Sequence, residues 1–589
     1  MKTRWTDQVN DHPLPEYPRP QFKRNSYVNL NGWWDCLINC EDKIPASFPQ
    51  KILVPFSPEA SLSGVGHILQ PEETLWYRRT FSIEEGFDQG RILLHFGAVD
   101  QECTVFVNGE EIGSHLGGYY SFVFDITDQI REENEIIVRV RDYTDTRGFE
   151  YGKQHLEPGR IWYTAQSGIW QTVWLESVPE RHLSSVKMTP DLENRRIHFC
   201  FETEAENPLI ETIVSFQGKE VIRAVLKKED TIVLPQVHEW SPEHPDLYDV
   251  TFRFGNDEVE SYFAMRSVSV GKTKDGHDRI FLNGKPYFLN GLLDQGYWPD
   301  GLYTAPCEEA MLYDIKTCKE LGFNTLRKHI KIEPLRWYYL CDKYGMLVIQ
   351  DMVNGGKDQC FWYKMLFQLF RGPIKDDERH YKGFGRLDPF AREQFQNNLQ
   401  RMVCQLYNSP CIVVWTPFNE GWGQFESRLA YELIRKHDKS RLIDHASGWH
   451  DQGIGDLDSH HRYILKIKVN KDKRGKNRPY VLTEFGGYEV KIKGHSFSED
   501  EVSGHHVFQD ADTMNETLKD LYQKHILGNV EKGLSACIYT QVADIENEVN
   551  GIMTYDREVL KLKRDTLAPI FDQITDYYNR KPASTIEWE

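Results

Sequence analysis

The pattern of apolar and polar positions changes twice along the chain. Over residues 1–181 it alternates in short runs, as in Arg91-Ile92-Leu93-Leu94-His95-Phe96, Cys103-Thr104-Val105-Phe106-Val107 and Glu135-Ile136-Ile137-Val138-Arg139-Val140-Arg141. A period of two broken by turn residues predicts half-buried strands. Asn108-Gly109 follows the second run directly and predicts a tight hairpin, because both residues tolerate left-handed backbone. This region predicts a β-sandwich of jelly-roll character.

Residues 182–270 keep the β rhythm, in Ile197-His198-Phe199-Cys200-Phe201 and Tyr248-Asp249-Val250-Thr251-Phe252-Arg253-Phe254. A segment of this length with alternating strands suits an immunoglobulin-like β-sandwich. From residue 271 to 589 the rhythm becomes strand, helix, strand, helix. Strand candidates end near Asn290, His329, Asp351, Asn419, His445, His460, Glu484 and Gln541. Helical stretches are predicted over 308–321, 334–344, 389–407 and 424–437. The fold expected here is a (β/α)8 TIM barrel, with chemistry at the carboxyl ends of its strands. Residues 352–387 are too long for an ordinary connection and are expected to form part of the site's wall or lid.

Composition narrows the function. With 89 acidic and 70 basic residues the net charge is −19, which argues against a nucleic-acid partner. Without an apolar run approaching ~20 residues, a transmembrane helix is not expected. Met1-Lys2-Thr3-Arg4-Trp5-Thr6-Asp7 has no hydrophobic core of a secretory signal, so a cytoplasmic location is expected. Eleven cysteines without paired spacing read as reduced thiols. Aromatics make up 13% of the chain, which suits stacking on sugar rings and equally suits large sandwich cores.

Two stretches carry the candidate chemistry. Val413-Val414-Trp415-Thr416-Pro417-Phe418-Asn419-Glu420-Gly421-Trp422 is an apolar strand that ends in Asn-Glu. Tyr480-Val481-Leu482-Thr483-Glu484-Phe485-Gly486-Gly487 has the same design. Two carboxylates delivered by two buried strands are what a glycosidase needs. Glu420 is the candidate acid/base, with a pKa raised by burial and a neighbouring charge; Glu484 is the candidate nucleophile. Asn419 is placed to hydrogen-bond a sugar 2-hydroxyl, the alternative being that Asn419-Glu420 caps the following helix. Asp294, Arg327, His329, Lys331 and Asp351 fall at the ends of the first strands, and Trp422, Trp449 and His461 beyond or at later ones. They read as sugar contacts, as stacking surfaces, or as charges that balance the carboxylates. The adjacent His460 and His461 do not complete a metal site by spacing alone. Asp142-Tyr143-Thr144-Asp145 and the polar loop to Gln166 either reach the barrel mouth or form a domain interface.

These residues resemble glycoside hydrolase family 2, which includes β-galactosidases, β-glucuronidases and β-mannosidases. The resemblance covers nearly the whole chain, from Leu30-Asn31-Gly32-Trp33-Trp34, Trp76-Tyr77-Arg78-Arg79-Thr80-Phe81 and Ser167-Gly168-Ile169-Trp170-Gln171 in the sandwich to Asn419-Glu420 and Glu484 in the barrel. It implies an exo-acting, retaining β-glycosidase acting on small glycosides or oligosaccharides, without an organic cofactor. Members are often oligomeric, and the sequence leaves the number of subunits open. Metal ligation seen in some members is not carried over. Glucuronidases of the family carry Asn-x-Lys near the eighth strand, where this chain has Glu548-Val549-Asn550; an acidic residue there disfavours a uronate. The sugar expected is galactose-like, with α-L-arabinopyranosides, mannosides and glucuronides as alternatives. A non-catalytic sugar-binding protein on the same scaffold is the competing class.

Overall fold

A computed structural model describes residues 1–357, 372–463, 466–469, 477–498 and 506–580. Part of the 352–387 segment, for which a wall or lid is expected, therefore lies outside the described residues. Among the described residues, no helix is long and apolar enough to cross a membrane.

The amino-terminal part is a sandwich of a six-stranded and a four-stranded sheet. Its core is the set of inward-facing side chains that alternation marks, among them Leu94, Phe96, Val105, Val138 and Val140. The predicted hairpin joins Glu102–Val107 to Glu110–Leu116, with Asn108 at φ 51° and Gly109 at φ 86°. A second sandwich follows, of three and four antiparallel strands, packed around Phe199, Phe201, Val250 and Phe252.

The remainder is built on eight parallel strands: β1 (Leu289–Asp294), β2 (Thr325–Lys328), β3 (Leu347–Asp351), β4 (Ile412–Thr416), β5 (Leu442–Ile443), β6 (Asp458–Arg462), β7 (Tyr480–Gly486) and β8 (Leu534–Thr540). Hydrogen-bonded neighbours run β5-β4-β3-β2-β1-β8-β7-β6. Where β5 meets β6, single bonds replace a ladder: Asp456 donates its N–H to Ile443 O, and Ser459 donates Oγ–H to Asp444. Strands β1 to β4, β7 and β8 are buried along their whole length, which is why they read as near-continuous apolar runs.

Helices lie between most of the strands, including Glu308–Glu320, Leu335–Tyr344, Pro389–Leu406 and Ser427–His437. Local chemistry sets their ends. Asp388 caps the third of these by accepting from Phe390 N, with Pro389 in the first turn, and Gly345 closes the second in left-handed backbone. The amino-terminal sandwich packs directly on the barrel sheet, with Tyr119, Tyr163 and Trp170 in the same apolar cluster as Leu292 and Tyr303.

Candidate active site

The two glutamates meet. An oxygen of Glu420, an oxygen of Glu484 and a ring nitrogen of His461 all lie within 4.8 Å of one another. Each arrives by a different local device. β7 carries Glu484 near its carboxyl end and then turns away through Gly486 and Gly487, both in left-handed backbone. A Cβ at Gly486 would sit 2.2 Å from the Tyr539 ring, so only glycine fits there.

After β4 the chain faces a geometric problem, since adjacent residues of an extended strand point to opposite sides. Glu420 resolves it by adopting φ 47°, left-handed backbone that costs about 1–2 kcal/mol for a residue with a Cβ. Its N–H is held by Ser447 O at 3.0 Å, and Trp422 N–H closes the turn on Asn419 O at 2.8 Å. Asn419 and Glu420 thus both reach the pocket. The helix beyond starts at Ser427 with Glu426 as its cap residue, so neither side chain is a helix cap.

Around the pair the contacts are dense. His461 Nδ1 lies 2.8 Å from Glu420 Oε1 and 3.4 Å from Glu484 Oε2. Burial, the largest cause, pulls this imidazole's pKa down to about 3, so it is neutral at ordinary pH. Its Nε2 meets Ser447 Oγ at 3.1 Å. Tyr463 donates its hydroxyl to Glu484 Oε2 at 2.5 Å. Arg327, fully buried on β2, donates to Glu484 Oε1 at 3.0 Å, to Asn419 Oδ1 at 2.8 Å and to both oxygens of Asp351 at 3.1 and 2.9 Å. Asp351 is therefore turned to the guanidinium, and burial raises its pKa to about 6.

His329 Nδ1 lies 2.8 Å from Gln295 Oε1, to which it donates. Burial first, and Arg327 second, hold its pKa well below the ordinary value, so the neutral ring presents Nε2 as an acceptor, 3.6 Å from Glu484 Oε1. That nitrogen, Asn419 Nδ2 and Trp422 Nε1 are buried without a hydrogen bond of ordinary length, although Asn419 lies close enough to His329 to favour its charged form. Buried polar groups are normally satisfied, so three such atoms beside two carboxylates mark a place for a hydroxyl-rich ligand.

Other candidates sit elsewhere. Asp294 accepts from Lys328 Nζ at 2.7 Å. Lys331 donates to Gly296 O, Tyr303 O and Glu333. Together with Lys328 and Glu333 they form an ion cluster separate from the glutamate pair, and burial lowers the Lys331 pKa to about 8. Trp449 is half-buried just beyond the Asn419–Ser447 bridge. His460 stacks on Tyr480 with ring centroids 4.3 Å apart, turned from its neighbour His461.

The loop after Asp142 does reach the barrel. Tyr151 and Gly152 donate their N–H groups to Asn354 O beyond β3, and the Trp162 ring lies 5.0 Å from that of Trp422. Sequence reasoning left Tyr463 and Trp162 out of the site. Tyr463 was within reach, since it follows His461 by two residues and so repeats the strand's side-chain alternation.

A multidomain protein whose barrel sheet gathers two carboxylates at its carboxyl end has the arrangement that a glycosidase requires. Comparison with known families makes it specific. Residues 273–564 match the model "Glycosyl hydrolases family 2, TIM barrel domain", residues 29–179 the family's sugar binding domain, and residues 181–266 the family 2 model between them. The chain belongs to glycoside hydrolase family 2.

It is similar to a β-galactosidase of Thermoanaerobacter pseudethanolicus, 24% identical over 474 residues that span 74% of this chain and 58% of that one. A putative β-glucuronidase of Formosa agariphila is 26% identical over 366 residues, 59% of this chain and 39% of that one. The chain thus spans only about two to three fifths of these curated relatives' length. Among solved structures, a β-glucuronidase of an uncultured Clostridium superposes with a TM-score of 0.74 at 17% identity, covering 94% of this chain and 99% of its own. A β-galacturonidase of Eisenbergiella tayi bound to galacturonate gives 0.69 at 20% identity, covering 95% and 99%.

Proposed function

We propose that the chain is an exo-acting, retaining β-glycosidase that cleaves terminal sugars by double displacement, with Glu484 as nucleophile and Glu420 as acid/base. One observation carries the reading: carboxylate oxygens of the two residues lie within 4.8 Å of each other. Retaining enzymes hold their two carboxyl groups about 5–5.5 Å apart, and inverting enzymes leave a wider gap for water.

In the first step a Glu484 oxygen attacks the anomeric carbon while the bond to the leaving oxygen breaks and Glu420 gives that oxygen its proton. In the second, Glu420 takes a proton from water, the water oxygen attacks the same carbon, and Glu484 leaves as a carboxylate. Arg327 and Tyr463 hold the two Glu484 oxygens. Asn419 has its oxygen committed to Arg327, which leaves its unpaired Nδ2 to donate to the sugar 2-hydroxyl. The unpaired ring nitrogens of His329 and Trp422 supply an acceptor and a donor for further hydroxyls.

A neutral galactose-like sugar is the reading the sequence favours, and relatives named β-galactosidase support it. Relatives named β-glucuronidase support a uronide instead. Tyr163 and Asn550 each donate to one carboxylate oxygen of Glu548, but both donors are neutral, so the objection that this residue repels a uronate stands against that alternative. Proton NMR of the first-formed product from aryl β-galactoside and aryl β-uronides tests the reading; it should have the β configuration, and an α product would overturn retention.

A further inference from the structure

We propose that Lys153, supplied by the amino-terminal sandwich, is the specificity-determining residue that recognises a carboxylate on the terminal sugar. This rests on the glycosidase reading for the position of the sugar and on the surroundings of Lys153 for the chemistry. The chain has four buried lysines among the described residues: Lys153, Lys328, Lys331 and Lys561. Three of them are neutralised locally. Lys328 pairs with Asp294 and Glu333, Lys331 with Glu333, and Lys561 with Asp544.

Lys153 is only 5% exposed, yet among the described residues its hydrogen bond goes to a neutral carbonyl, Ile161 O at 3.0 Å, and no carboxylate pairs with it. Three aromatic rings surround the ammonium, with centroids at 5.6 Å (Trp162), 5.4 Å (Tyr163) and 5.2 Å (Trp422). Aromatic faces offset part of the cost of burying a cation, and they keep it dry, which strengthens its attraction for an arriving anion.

The position fits a substrate contact. Trp422 stands two residues beyond Glu420, and its ring centroid is 6.2 Å from that of His329. His329 in turn reaches within 3.6 Å of Glu484. These contacts connect the nucleophile to Lys153 through His329 and Trp422. Unpaired buried nitrogens of His329, Asn419 and Trp422 mark the way. A merely structural Lys153 would tie down its loop through Ile161 and have no bearing on sugar charge.

The test is binding of free galacturonate, glucuronate, galactose and glucose to the full chain by calorimetry, in the parent and in Lys153→Met and Lys153→Arg. The parent should bind at least one uronate about tenfold or more tightly than its neutral counterpart. That preference should disappear in Lys153→Met and largely survive in Lys153→Arg. High salt should weaken uronate binding and leave neutral sugars unchanged; this measurement on the parent stands even if Lys153→Met does not fold. Absence of a uronate preference in the parent, or its persistence in folded Lys153→Met, overturns the assignment. Turnover separates the two readings: uronate preference without hydrolysis of any aryl glycoside sinks the glycosidase and keeps Lys153, and hydrolysis without the preference does the reverse.

Discussion

His461 is shared by Glu420 and Glu484: one ring nitrogen, Nδ1, lies 2.8 Å from the first and 3.4 Å from the second. A neutral imidazole in that place bridges the two carboxyl groups without adding charge of its own. His461→Ala should lower kcat/KM about 10²-fold for alkyl glycosides, whose poor leaving groups need Glu420 most. Aryl glycosides with acidic leaving groups should lose less. A leaving-group series measures this, and an equal loss across the series would refute the link to acid catalysis.

Glu484→Ala should cut turnover by at least about 10⁴-fold while sugar binding remains measurable. Glu420→Ala should spare glycosides with activated leaving groups, and added azide should then yield the β-glycosyl azide. Parent-like hydrolysis by Glu484→Ala would remove the nucleophile assignment.

Arg327 holds the site's charges together from a fully buried position, with Asp351 and Glu484 as its partners. Arg327→Met leaves Asp351 buried without its cation and should cost about 3–5 kcal/mol, read as a lower urea midpoint. Lysine cannot reproduce the two-pronged contact with Asp351, so Arg327→Lys should recover only part of the loss. An unchanged midpoint for Arg327→Met would contradict the role.

The histidines set an acid limit. Burial lowers the pKa of His95 and of His461 to about 3, and that of His329 well below its ordinary value. In the unfolded chain each titrates near the ordinary ~6.5. Below that pH the unfolded state takes up protons that the folded state refuses, so each histidine's contribution to stability falls as pH drops from about 6.5 toward 3, by about 1 kcal/mol over the first unit. Buried carboxylates with raised pKa, Asp351 among them, act in the opposite direction over the same range, so the test is a difference: the stability of the parent relative to His95→Gln should decline from neutral pH to pH ~5.5, and a flat difference would show that this ring is protonated in the fold.

The architecture was legible where the physics is local. Buried parallel strands appear as apolar runs, and a carboxylate that ends such a run stands out, as Glu420 and Glu484 do. The cations after β2 were harder. Arg327, Lys328 and Lys331 look alike in sequence, yet alternation sends Arg327 and His329 to the pocket and Lys328 to the ion cluster with Asp294. Beyond the strand, the left-handed turn at Ile330 (φ 41°) places Lys331 in the same cluster. How Asn419 and Glu420 both face one pocket was hidden too, because the left-handed residue is Glu420 itself and not a glycine. Lys153 and Trp162 carried no local signal at all. Their meaning lies in contacts with Trp422, some 260 residues away, that exist only once the two domains have docked.

The docking of that loop onto the barrel divides labour between separate stretches of polypeptide. On the proposed assignment the bond-breaking groups, Glu420 and Glu484, belong to the barrel, whereas the Trp162 and Lys153 side chains beside Trp422 are on loan from another domain. Drift or deliberate change in the 142–166 loop can therefore retune what is accepted while the machinery that cuts stays untouched. A barrel expressed by itself would keep Glu420 and Glu484 and lose the Lys153 and Trp162 side chains that lie against Trp422.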